Sequence, residues 1–176
     1  MGGGSPHILP PEAALLAVMA GAAAAALMFI AAAWDLARRE IPNRASAGVA
    51  LAALPSLLGQ PLASSLATVA VAAVLFGLGI VAFRFALLGG GDVKLLGAVG
   101  LWIPPSELGL FLLVQAFVTL VIAGVMLFRA RLGKGGRAGS SPQQSGHDLL
   151  PFGVPIAAGG LAVMVAEAGL LASGAT

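Results

Sequence analysis

Six apolar runs separated by short polar breaks set the pattern of this chain, and each run reads as a helix. The first, 12–34, is long enough at about 1.5 Å per residue to cross a hydrocarbon core of about 30 Å. Small residues fill 21–26, which suits close helix packing. The second run, 45–58, is short and contains Pro55, so a kink is predicted there. The third, 62–88, follows the turn Gly59-Gln60-Pro61 and carries Arg84 near its end, where a long side chain can snorkel. A fourth covers only 92–102 before Pro104-Pro105, about 16 Å of helix. The fifth, 106–128, is expected to start with Ser106 as its cap, and the sixth, 149–171, opens on Pro151-Phe152-Gly153.

Composition makes lipid the solvent. The chain has 176 residues, of which 59% are hydrophobic and 9% charged. Its mean hydropathy is +1.02, whereas a soluble domain carries about a quarter charged residues. The expected fold is therefore all-α and polytopic, a single membrane-embedded domain over 12–171. A flexible stretch 1–11 precedes it and a tail 172–176 follows. No Lys or Arg precedes the first apolar run, so it does not read as a secretory signal.

The charges give the runs a direction. With six crossings and the N-terminus outside, the inner loops are 35–44, the turn around 84–94, and a basic, Gly/Ser-rich loop 129–147. All nine basic residues fall there: Arg38, Arg39, Arg44, Arg84, Lys94, Arg129, Arg131, Lys134 and Arg137. That asymmetry follows the positive-inside rule. The basic loop suits contact with lipid headgroups. No basic run with interleaved aromatics points to nucleic acid. With no cysteine and only His7 and His147 as imidazoles, neither disulfide, thiolate chemistry, metal site nor cofactor is expected.

Against this background one short stretch stands out, Gly89-Gly90-Gly91-Asp92-Val93-Lys94. An acid at membrane depth costs about 2.5–3.5 kcal/mol, so Asp92 requires a task or a partner. Asp35, at the inner end of the first run, falls on the same side in this parse. Two carboxyl groups that come together cannot both ionise cheaply and titrate as a pair. One can then take a proton from water while the other protonates the carbonyl oxygen of an amide. Gly89 and Gly91 would let the backbone bend and an extended peptide approach Asp92 closely. Plainer readings stand beside these. Asp35 can be a helix-end acid paired with Arg38 or Arg39, and Asp92 can cap the fourth helix. Lys94 can be an interfacial anchor. Pro42 and Asn43 can shape the turn, with Asn43 capping the second helix.

Gly89-Gly90-Gly91-Asp92 matches the GxGD signature of membrane aspartic proteases. Together with Asp35 before Ile41-Pro42-Asn43, with Lys94, and with Pro151-Phe152-Gly153, the chain resembles the type IV prepilin peptidase family. The likeness is to its short, peptidase-only branch serving tight-adherence (Flp-type) pili. The resemblance implies six helices in the bacterial inner membrane, with Asp35 and Asp92 as the catalytic pair at the cytoplasmic ends of helices one and four. It also implies a prepilin substrate with a basic leader, cut before its hydrophobic helix, and contact with pilus-assembly machinery. Longer members carry a four-cysteine, zinc-binding insertion linked to N-methylation; this chain has no cysteine, so methyl transfer is not expected. The competing class is a small proton- or cation-coupled transporter or channel subunit in which Asp35 and Asp92 line the ion path. It would need those acids near the bilayer midplane.

Overall fold

The computed structural model describes residues 11–38, 40–132 and 151–173. Arg39, the stretch 1–10, most of the basic loop with Lys134, Arg137 and His147, and residues 174–176 lie outside the described residues. All regular structure among the described residues is helical. The elements are α1 (Pro11–Arg38), α2 (Asn43–Ala52), α3 (Leu54–Leu58), α4 (Leu62–Arg84), α5 (Gly90–Gly100), a 3-10 turn Pro105–Glu107, α6 (Leu108–Leu132) and α7 (Gly153–Ser173).

Three stretches are long and apolar enough to cross a membrane, Leu15–Arg38, Leu62–Arg84 and Pro105–Arg129, and Gly153–Gly169 is a shorter apolar one. Their outer faces are apolar: Leu120 is 71% exposed and Val165 72%. Side chains of that kind belong in hydrocarbon, where the helical backbone satisfies its own polar groups.

The short helix α5 forms the inside. α5 has eleven residues, about 16 Å of rise, yet Val93, Leu95, Leu96, Ala98 and Val99 are all buried. It packs against α2, α4 and α7, while α1 packs on α2 and α7, and α6 leans on α7. Met28 and Ala31 of α1, Val49 of α2, Ile156 of α7 and Phe111 of α6 complete the core. Glycines permit the closest approach. A Cβ on Gly100 would lie 2.7 Å from the Ala72 Cα, so α4 and α5 touch backbone to backbone there. Gly100→Val is expected to destabilise the protein by about 1–3 kcal/mol, read as a lower thermal midpoint in detergent.

Several boundaries differ from the sequence expectation. The second run divides into α2 and α3 around Ala53, because Pro55 has no N–H to continue the ladder. The indole of Trp102 donates to the Val49 carbonyl at this break, 3.0 Å away. The third run ends as helix at Arg84 rather than 88. Leu87 N–H bonds Ala82 O and Ala86 N–H bonds Phe83 O, both at 3.0 Å, closing the helix around Ala86 at φ 54°. Glycine usually occupies that left-handed position, so an alanine there gave no warning. Ser106 is not a cap: it lies inside the 3-10 turn, which starts from Pro104 without a side-chain bond. Asn43 is not a cap either, since Pro42 precedes α2 in extended conformation and no side chain caps it.

Candidate functional site

Asp35 sits in the last turn of α1 and Asp92 in the first turn of α5, and both are buried, 5% and 8% exposed. They line one cleft of about 310 Å³ together with Glu40, Ile41, Asn43 and the three glycines 89–91.

Helix N-termini hold them. Free amides at a helix start carry partial positive charge and bind anions. Gly153, the first residue of α7, donates its N–H to Asp35 Oδ2 at 2.8 Å. This offsets the unfavourable position of an acid at the C-terminal end of α1. The Gly89 N–H donates to Asp92 Oδ2 at 3.0 Å, so Asp92 closes the start of its own helix from the third position. The capping role weighed for Asp92 is thus present, in addition to its place in the cleft. Asp92 Oδ1 is buried with no hydrogen-bond partner among the described residues. Each carboxylate is therefore held by one amide, and one oxygen of Asp92 is left with unused acceptor capacity.

The glycines work differently from the sequence reading. Gly89 has φ −77° and ψ 154°, which any residue adopts, so no special bend is required of it. A Cβ at Gly89 would stand 3.0 Å from Asp92 Oδ2, and one at Gly91 would stand 3.0 Å from the Ile41 Cβ. The glycines let α5 seat against Ile41 and leave room for the carboxylate. Gly153 is tighter still, with a Cβ placed 2.8 Å from both Asp35 Oδ2 and Ile41 Cδ1.

The structure brings Asp35, Asn43, Gly89, Gly91 and Asp92 to one cleft, but Lys94 and Pro42 do not line it. Lys94 projects from the next part of α5, and its Nζ donates to Asn43 Oδ1 at 2.9 Å, tying α5 to the start of α2. Arg38, considered above as a partner for Asp35, places its guanidinium 4.9 Å from the centre of the Trp34 ring. Sequence reasoning did not single out Glu40, Ile41 or Gly153 as site residues. Pro151-Phe152-Gly153 was visible as a motif, but nothing local says that its amide reaches the end of α1.

Two buried acids, held by amides and facing one polar cleft, are the equipment for activating a water against an amide. Searches of curated proteins and of solved structures found no match to the chain. A sequence profile, however, matches residues 9–124, a span that contains Asp35, Asp92 and every residue lining the cleft. By that match the chain belongs to the type IV leader peptidase family.

Proposed function

We propose that this chain is a six-crossing aspartic endopeptidase of the bacterial inner membrane that removes the leader from type IV, Flp-like prepilins at the cytoplasmic face. Membership of a leader peptidase family gives the class of reaction. The observation that carries the mechanism is the pair of buried carboxylates on one cleft, each held by a backbone amide at a helix start.

The pair holds one proton. The ionised carboxylate takes a proton from a water whose oxygen attacks the scissile carbonyl carbon, while the protonated one hydrogen-bonds and protonates the carbonyl oxygen. Collapse of the tetrahedral intermediate breaks the C–N bond as the nitrogen receives a proton. The products are the leader's new carboxyl end and the mature pilin's new amine. Glu40 on the rim adds a third acid, and a cleft with this charge favours a cationic leader.

The test is to co-express a type IV prepilin with the chain, follow its size on a gel and sequence the new N-terminus. Conversion to a shorter product starting at the residue before the apolar helix supports the reading; an unprocessed precursor beside well-inserted protein overturns it. Lys94 serves here through Asn43 rather than at the reacting atoms. Lys94→Met is expected to slow processing by less than about tenfold, the worth of one exposed hydrogen bond. A loss as deep as that of an acid variant would place Lys94 in the chemistry.

A further inference from the structure

Beside the cleft lies a second, larger cavity of about 480 Å³, a groove between α2, α4 and α5. Asn43 lines both, so the two adjoin at the start of α2. From Asn43 and Lys94 at its mouth the groove runs along Ala47 and Ala50 of α2, facing Ala73 of α4 and Gly97 of α5. Its walls are therefore mostly small and apolar, the kind that lets another helix approach to backbone distance.

One side chain in this wall is out of place. Ser46 is 5% exposed, lines the groove, and its Oγ has no hydrogen-bond partner among the described residues. A buried hydroxyl without a partner is costly. The Oγ is itself covered, so a turn of this short side chain about its first torsion is what brings it to a hydrogen-bonding group in the groove, and such a partner would remove that cost. A lipid acyl chain has no such group. A polypeptide helix does, in its polar side chains and in carbonyls that accept a second bond.

We propose that this groove is the docking site for the apolar helix of the substrate, the segment just beyond the bond that is cut. The inference rests on the peptidase reading above. The geometry follows from adjacency at Asn43: a precursor with its scissile bond at Asp35 and Asp92 passes Asn43 and enters the membrane along α2. Ser46 then meets the first turns of that helix, and the Lys94–Asn43 bond forms the sill between cleavage site and groove. The groove thus restricts cleavage to peptide bonds immediately followed by a membrane helix.

The chain contains no cysteine, so single cysteines can be introduced without further change. In an Asp92→Asn background that retains substrate, Ala47→Cys is expected to form a disulfide with a cysteine in the first three turns of the precursor's apolar helix. Leu120→Cys, on the outer face of α6, is expected not to. Ala73→Phe projects a ring into the groove from an exposed wall position. It is expected to weaken processing of the membrane precursor by about tenfold or more, through KM, while leaving a short peptide that lacks the helix unaffected. Ser46→Ala is expected to leave the thermal midpoint unchanged or higher, yet weaken precursor cleavage by about threefold to tenfold. A structural role alone would not separate those two readouts. Wild-type processing with no cross-link at 47, or equal cross-links at 47 and 120, overturns the groove and leaves the peptidase standing. So does an Ala73→Phe that treats precursor and short peptide alike, whether by sparing both, as expected if the groove holds lipid, or by impairing both, as expected of general damage to the fold. Failure of the wild-type chain to process any prepilin counts against the peptidase, and the docking site falls with it.

Discussion

Asparagine in place of Asp35 or Asp92 leaves an inserted, folded protein that cuts its precursor at least about a thousandfold more slowly, the scale lost when a general acid or base is removed. The fold is expected to survive because the amide keeps an acceptor oxygen in each position. Gly153 N–H can still reach residue 35 and Gly89 N–H can still reach residue 92. What disappears is the shared proton, which needs two acids. The wild-type rate should accordingly pass through a maximum with pH, with one limb for each protonation step of the pair. Protein recovered from the membrane fraction, a thermal midpoint within a few degrees of wild type, and precursor accumulating on the gel make up the expected result. Normal processing by either variant would remove the acid pair from the mechanism. It would also reopen the ion-path reading, for which proton flux in vesicles is the direct measurement.

Gly153→Ala is expected to reduce turnover by about a hundredfold, because an error of about 1 Å at a catalytic group costs that much. The new methyl would stand 2.8 Å from Asp35 Oδ2 and 2.8 Å from Ile41 Cδ1, so Asp35 must turn or α7 must slide. Either motion breaks the hydrogen bond from the Gly153 N–H that orients the carboxylate. The three-glycine stretch should then rank in a defined order. Gly91→Val drives a branched side chain into Ile41, 3.0 Å from the first added carbon, and should nearly abolish cleavage by separating α5 from Ile41. Gly90→Ala meets nothing closer than Phe83 at 3.7 Å, an ordinary contact, and should be tolerated. If the glycines served only backbone freedom or substrate approach, Gly90 would be as sensitive as its neighbours and Gly153 would be indifferent. Single-turnover rates on one precursor, with midpoints measured in parallel, separate these outcomes.

Glycines 91 and 153 show where sequence reading stopped. Gly91 was noticed for its place before Asp92, and a bound peptide was the expected neighbour; the neighbour found is Ile41 of the same chain. Asn43 was expected to cap α2, and it instead accepts from Lys94, far along the chain. In both cases the residue type announced a need for close contact or hydrogen bonding, while the partner depended on how α5 docks on α2. Glu40 was passed over as one charge among several in a polar turn. Only the packing of that turn against the start of α5 brings it to the rim of the cleft.

By itself the sequence determined the apolar solvent, the helical class, the existence of polar breaks and two acids in need of a partner, along with the family likeness that residues 9–124 bear out. Those properties depend on composition, on periodicity along one segment, and on chemical types too costly in lipid to be incidental. Tertiary structure decided that the short fourth helix is the buried centre, that the third ends early at Arg84 ahead of the left-handed Ala86, and that the start of α7 completes a site begun by α1 and α5. A helix N-terminus offers free amides wherever it lies. Which carboxylate it meets depends on how the helices pack, and local sequence carries little information about that.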